Sequence, residues 1–182
     1  MKKNDARVRY TKLVLKNALL KLMQTKPINK ITVKEVCELA GLNRATFYAH
    51  YGKCFDLLES IEQEILDAFN ESLKLIDSFD VSSLIEAIYK IIEENENACR
   101  ILIFNAASSR LIHSMISLAH KESIEYWKLI LNNATDNQLD MLYIHLSNGL
   151  MHVVIECYGK YGKHDIIEFV NSMVKTSLST FK

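Results

Sequence analysis

Chain-breaking residues are scarce in this sequence, which holds one proline and five glycines among its 182 residues. Proline and glycine interrupt helices and build tight turns, so their scarcity argues against a turn-rich all-β fold. Hydrophobic residues make up 49% of the chain, which is enough for a sizeable core and too much for a disordered protein. We therefore expect an all-α fold.

Several functional signatures are also missing. The four cysteines lie far apart with no C-x-x-C pair, so we expect free thiols: Cys37, Cys54, Cys99 and Cys157. No apolar run approaches the length of a membrane span, and no signal peptide opens the chain, so a cytoplasmic protein is expected. We find no nucleophile elbow, glycine-rich phosphate loop or metal-ligand cluster, so neither an enzyme, a cofactor nor a metal site is expected.

Charge is balanced over the whole chain but not along it. Residues 1–53 contain 12 Lys and Arg against 3 Asp and Glu, a net charge of +9, and residues 54–182 carry −9. A basic head on an acidic body indicates a polyanionic partner for the head alone. A solvated surface of mixed charge is the alternative.

Helical periodicity runs through the whole sequence, with breaks at Pro27, at "DSFDVSS" and at "NNATDNQ". We predict two domains, a small basic helical head over 1–53 and a larger helical body over 54–182. About nine helices are expected, two short ones between Thr32 and Tyr51 and seven others at 5–24, 53–77, 82–95, 97–104, 107–131, 138–158 and 164–180.

The two short helices carry their own start and stop signals. Thr32 and Glu35 form a capping box at the first start. Gly41 supplies the left-handed residue that ends this helix, and Asn43 is a good N-cap for the next one. Two helices joined by so short a turn predict a helix-turn-helix.

The second helix of such a motif enters the major groove of DNA with its first residues. Here these are Asn43, Arg44 and Thr46, whose side chains can pair with bases, while Phe47 should point into the core. We expect phosphate contacts from four residues that follow, namely Tyr48, His50, Tyr51 and Lys53. Packing roles for the two tyrosines, and a purely capping role for Thr46, are the alternatives.

The stretch "ITVKEVCELAGLNRATFYAHYGKCFDLL" resembles the signature of the TetR (tetracycline-repressor) family of transcription regulators, and the resemblance extends from about Arg7 to Leu58. It implies that Thr32, Tyr48, His50 and Tyr51 hold the DNA backbone. One position departs from the family pattern, because Cys54 stands where a lysine is usual. Either Lys53, one residue earlier, reaches the DNA phosphate that the usual lysine contacts, or this contact is missing.

A single groove-reading head binds weakly, so we expect a homodimer on a palindromic operator with half-sites roughly 34–36 Å apart. The resemblance implies dimerisation through the last two helices. Each carries an apolar stripe, one along Leu139, Leu142, Leu146 and Leu150, the other along Ile166, Phe169, Val170 and Met173. The stripes could instead belong to the intrachain core.

The resemblance also implies that the helix-turn-helix DNA-binding domain of 1–53 is followed by a helical ligand-binding and dimerisation domain over 54–182, with a small-molecule effector inside this body. Polar and aromatic residues in apolar surroundings are the candidates for contacting it, namely Asn105, His113, Trp127, Tyr143, Asn148 and His152. His113 and His120, like His145 and His152, are seven residues apart, which suits core or interface histidines better than one shared metal.

We therefore expect a regulator of transcription, with repression as the simplest direction of control. The alternative is a coactivator of the same family that acts through a protein partner instead of DNA. A gel-shift experiment separates them, because only the first should bind DNA alone.

Overall fold

The computed structural model describes residues 3–75, 81–104 and 110–181. Within these ranges it contains nine α-helices, a short 3-10 helix at Ile28–Lys30, a π-helical segment at Arg100–Phe104, and no strand. The expected all-α fold is confirmed. The α-helices are α1 (Lys3–Met23), α2 (Val33–Ala40), α3 (Arg44–Tyr48), α4 (Cys54–Lys74), α5 (Val81–Glu94), α6 (Glu96–Cys99), α7 (Arg110–Ile130), α8 (Asp136–Cys157) and α9 (Lys163–Ser179).

Predicted and observed helix bounds mostly differ by a residue or two, the usual uncertainty at helix ends. One difference is of another kind, because the helix expected at 97–104 is α6 followed by the π-helical segment. Helix α8 begins at Asp136, two residues early, since Thr135 and Gln138 form a capping box. The expected end of the fourth helix, at 77, and the expected start of the seventh, at 107, lie outside the described residues.

The chain divides into two compact units, residues 1–65 and 66–182, and α4 contributes residues to both. We call them the N-terminal unit and the C-terminal unit. The functional boundary between residues 53 and 54 stays a prediction.

In the N-terminal unit, α1 packs on α2 and α2 packs on α3. The core consists of large apolar side chains with almost no exposure: Leu15, Leu19, Val36, Phe47, Leu57 and Ile61. An ion pair of 2.9 Å between Lys16 Nζ and Glu64 Oε2 joins α1 to α4. The short helices α2 and α3 are therefore stabilised by packing in this shared core rather than by their own helix propensity.

In the C-terminal unit, α5 packs on α9, α7 on α8, and α8 on α9. Helix α8 has two different sides. One buries Leu139, Tyr143, Met151 and Val154, and the other exposes Met141, Ile144, His145, Asn148 and His152. Of the helices that the structure describes, none is both long and apolar enough to cross a membrane.

Candidate nucleic-acid interface and ligand pocket

The start of α2 is closed by the predicted capping box. Thr32 Oγ1 accepts from Glu35 N at 3.3 Å, and Glu35 Oε2 accepts from Thr32 N at 2.9 Å. Lys26 Nζ bonds the other carboxylate oxygen. The hydrogen bond from Lys26, followed by those from Thr32, lowers the pKa of Glu35 from its ordinary 4.5 to about 2. The Thr32 hydroxyl is thus already hydrogen-bonded within the protein. A contact of Thr32 with the DNA backbone stays a prediction.

The turn between α2 and α3 has the expected geometry. Gly41 ends α2 with φ of 66°, a left-handed conformation that favours glycine. Asn43 caps α3, its Oδ1 accepting from Thr46 N at 2.8 Å and from Thr46 Oγ1 at 3.0 Å. Both local predictions, the glycine stop and the asparagine cap, are confirmed.

These caps restrict what the start of α3 can offer a base. A bidentate bond to adenine needs both Oδ1 and Nδ2 of an asparagine. Asn43 Oδ1 already accepts two bonds from Thr46. Arg44 is exposed and forms no salt bridge within the described part of the chain, so its guanidinium is the group at this helix start that is best placed for groove contacts. Base reading by all three residues stays a prediction.

The four aromatic residues at the end of the motif separate into inner and outer positions. Phe47 is fully buried, as expected, and Tyr48 is 58% exposed. Tyr51 is only 9% exposed, with its ring 5.8 Å from that of Phe47 and its hydroxyl 3.5 Å from Ser60 Oγ. His50 is half-buried. Tyr48 therefore fits a phosphate contact, whereas Tyr51 packs in the structure, the alternative role considered for it.

Asp56 closes the start of α4. Its Oδ2 accepts from Gly52 N at 3.0 Å and from Lys53 N at 3.1 Å. A Cβ at residue 52 would lie 2.9 Å from this oxygen, so glycine allows the carboxylate to approach. Lys53 Nζ is exposed and lies 3.8 Å from Asp56 Oδ1. A phosphate at this helix start must therefore compete with a carboxylate, and the Lys53 contact stays a prediction.

The C-terminal unit contains a pocket whose empty volume is about 610 Å³, including the part open to solvent. Apolar side chains from α4, α5, α7, α8 and α9 supply most of its wall. Tyr143 and Trp127 also line it, with ring centroids 5.9 Å apart. Tyr143 donates to the Ile116 carbonyl at 2.6 Å, and burial raises its pKa above the ordinary value.

The candidate effector residues do not all meet at this pocket. Trp127 and Tyr143 line it. His113, Asn148 and His152 are exposed and are not part of its wall, because they lie on the outer sides of α7 and α8. Asn105 lies outside the described residues. The structure thus brings together two of the predicted contacts, and the pocket does not support the three exposed ones.

The two apolar stripes that were expected to pair two copies of the chain are only partly exposed. Leu146 and Leu150 line the pocket, and Leu139, Ile166 and Val170 are buried within the chain. The exposed large apolar residues on the last two helices are Phe169 and Met173, which belong to the predicted stripe of α9, and Met141 and Ile144, which lie outside the predicted stripe of α8. We call these four residues the outer apolar face.

Solved structures resemble this chain along most of its length, although no protein-family model and no curated protein matches it. A TetR transcriptional regulator from Streptococcus agalactiae 2603V is 21% identical with a TM-score of 0.70, over 94% of this chain and 97% of that one. The fatty acid degradation regulator FadR from Bacillus halodurans is 14% identical with a TM-score of 0.64, over 90% and 94%. The dihydroxyacetone kinase operon activator DhaS is 13% identical with a TM-score of 0.63, over 94% and 98%.

This chain has the TetR-regulator fold. At these identities the likeness establishes the fold, and function has to be argued from the residues. The expected resemblance to TetR regulators is confirmed at the level of three-dimensional structure.

At residue 54, where the TetR signature usually has a lysine, this chain has a neutral side chain. Cys54 is buried at the first position of α4, and burial raises the pKa of its thiol. The only cation at the start of α4 is therefore Lys53.

Three important residues were missed by sequence reasoning. Asp56 follows Lys53 in an N-terminal helical position where acidic residues are favoured. Thr135 precedes Gln138 by three residues, which is the capping-box spacing. Ser123 belongs to the four-residue spacing of Met115, Ala119, Ser123 and Trp127, which places one face of α7 at the pocket. All three signals were readable in the sequence.

Proposed function

We propose that this chain is a TetR-type transcription regulator that binds duplex DNA as a homodimer and is controlled by a small molecule. The N-terminal unit reads DNA, the outer apolar face pairs two copies, and the pocket of the C-terminal unit takes the effector. A regulatory role is proposed rather than an enzymatic one.

The observation that carries this proposal is the start of α3. A capped helix of the helix-turn-helix presents Arg44 and Tyr48 to solvent above a buried Phe47. It belongs to a segment with a net charge of +9, and phosphate neutralisation supplies most of the non-specific affinity for DNA. Exposed arginine at a groove-reading position supplies sequence preference.

Pairing is supported by the outer apolar face. Ile144 is 59% exposed and Phe169 is 54% exposed in the single chain. Exposed aromatic and aliphatic side chains of this kind form the centre of subunit interfaces. A twofold pair would give the two DNA-reading units that a palindromic operator requires.

We propose repression as the direction of control, because a dimer seated on a promoter occupies the duplex that polymerase needs. The structurally similar DhaS is named as an operon activator, so the fold is compatible with either direction. No observation on the described residues favours the alternative of a coactivator acting through a protein partner.

The test begins with selection of a preferred duplex from randomised DNA by the full-length protein. Arg44→Ala should then cost about 1–3 kcal/mol at one base pair of the selected site and relax the preference there. Fluorescence anisotropy against single-base variants of that duplex measures both effects.

Lys90→Ala is the charge-matched control, since Lys90 is exposed on α5 and belongs to the other unit. It should leave both affinity and preference unchanged. If Arg44→Ala weakens all duplexes equally, Arg44 contacts only phosphate. If the wild-type protein selects no duplex at all, the proposed function is wrong.

A further inference from the structure

The pocket of the C-terminal unit also indicates what kind of molecule it takes, an inference that rests on the proposed effector control. We propose that the ligand is an uncharged, mainly hydrocarbon molecule with one hydroxyl or carbonyl oxygen, which hydrogen-bonds to Ser123.

The wall of the pocket excludes charge. Its lining residues are apolar or neutral, and no Asp, Glu, Lys, Arg or His is among those that the structure describes there. Moving an ionised group out of water into such surroundings is strongly unfavourable unless an opposite charge pairs with it. A carboxylate or an ammonium group would find no such partner, so the part of the ligand inside the pocket is neutral.

Ser123 supplies the polar contact. It lines the pocket and is only 2% exposed, and its Oγ has no hydrogen-bond partner within the described residues. Helical serines usually bond the carbonyl one turn earlier, which satisfies the hydroxyl internally. A buried hydroxyl without a partner is uncommon in folded proteins and calls for an explanation. A ligand oxygen in the pocket supplies one.

The other polar groups of the pocket are already engaged. The Tyr143 hydroxyl donates to the Ile116 carbonyl at 2.6 Å, and Ser147 Oγ donates to the Ile144 carbonyl at 3.5 Å. One free hydroxyl therefore corresponds to one hydrogen-bonding group on the ligand. The remaining contacts come from the Trp127 ring and the surrounding aliphatic side chains, which favour hydrocarbon.

The chain contains its own reporter for this pocket. Trp127 is the one tryptophan in the sequence, and it lies in the pocket wall. Selective excitation of tryptophan in the full-length protein therefore measures occupancy of this pocket without reference to DNA. Three neutral probes of different shape are titrated, n-octanol, menthol and cyclohexanone, and octanoate serves as the charged counterpart of n-octanol.

We expect a saturable fluorescence change with at least one neutral probe, and at least about tenfold weaker binding of octanoate than of n-octanol at neutral pH. Ser123→Ala should weaken the best neutral probe by about 3- to 10-fold, the effect of one neutral hydrogen bond. Ser117→Ala is the matched control, since Ser117 is an exposed serine on the same helix and is not part of the pocket wall, and it should leave the affinity unchanged.

A second measurement separates loss of the contact from loss of folding. Without ligand, Ser123→Ala should unfold thermally at the same temperature as the wild type or higher, because it removes a buried hydroxyl that has no partner. A saturating neutral probe should then raise the unfolding temperature more in the wild type than in the variant.

Three results would overturn the proposal: equal affinity for octanoate and n-octanol, unchanged probe affinity in Ser123→Ala, or no saturable response to any neutral probe. These results are independent of DNA binding. A protein that binds the neutral probes as expected but selects no duplex keeps this ligand chemistry and loses the proposed regulatory function. A protein that selects a duplex but fails the titrations has the opposite outcome.

Discussion

The two units differ in how completely their polar side chains are paired. In the N-terminal unit, the polar residues at the starts of α2, α3 and α4 are bonded to one another, as in the pairs Thr32–Glu35 and Asn43–Thr46. In the C-terminal unit, Ser123 is buried in the pocket wall, and its hydroxyl has no hydrogen-bond partner among the described residues. Among the described residues, the first unit leaves no buried side-chain polar atom without a hydrogen bond, and the second unit does.

This difference teaches where each unit can interact. A unit with a filled core and closed helix starts offers a partner only its projecting side chains, here Arg44, Tyr48 and Lys53, so it suits a large charged surface such as DNA. A unit with an unfilled pocket and an unpaired hydroxyl suits a small molecule that enters it. The predictions below test this contrast, in order of decreasing effect.

The largest effect is expected from emptying the filled core. Phe47→Ala should lower the free energy of unfolding by about 3–5 kcal/mol, because the cavity left by a fully buried ring cannot collapse. Met115→Ala at the pocket wall should cost closer to about 2 kcal/mol, since the space beside it is already open. Denaturant unfolding followed by circular dichroism measures both. Equal losses would contradict the contrast between a filled and an unfilled unit.

A medium effect is expected from the two matching capping boxes. Thr32→Ala in the N-terminal unit and Thr135→Ala in the C-terminal unit remove equivalent caps, and each should cost about 1 kcal/mol of stability. Only Thr32→Ala should also weaken binding to a selected duplex, because only α2 belongs to the helix-turn-helix. If Thr135→Ala reduces DNA affinity as much, the two units do not divide the work as proposed.

The smallest effect distinguishes the same boxes by pH. The folded-state pKa of Glu35 lies near 2, below its ordinary 4.5, so its ionised bonds stabilise the protein fully above about pH 4.5. This contribution is lost as the pH falls toward 2. Glu35→Gln keeps a capping side chain but should remove that part of the acid sensitivity, as seen in unfolding temperatures across the pH range.

Gln138 occupies the equivalent position in the second box and carries no charge. Gln138→Ala is therefore the control, and it should lower stability by a similar amount at every pH. An acid profile unchanged by Glu35→Gln would show that the Lys26–Glu35 pair does not contribute.

Local signals predicted the N-terminal unit well. The Thr32–Glu35 box, the Gly41 stop and the Asn43 cap each depend on residues at most four positions apart, so the sequence contains the whole interaction. The burial of Tyr51 was missed as the main outcome, because it depends on Phe47 and on Ser60 in a different helix.

Prediction of the pocket was less complete, because membership in it depends on which side of a helix faces inward. Apolar sequence neighbours suggested both Tyr143 and Asn148. Five residues apart on a helix, their side chains point in very different directions, and only Tyr143 reaches the pocket. Ser123 was overlooked because a serine among polar neighbours looks like a surface residue until its helical partners Ala119 and Trp127 are considered.

Helix α8 carries pocket residues on one side and two residues of the outer apolar face, Met141 and Ile144, on another. Tyr143 lines the cavity, and its sequence neighbour Ile144 projects outward about 100° away around the same stiff rod. A ligand that displaced α8 at Tyr143 would displace Ile144 by a similar amount, because both residues belong to one rigid helix. In the proposed homodimer, binding in the pocket could then shift the pairing surface without any hinge, through the rigidity of the twenty-two consecutive helical residues of α8.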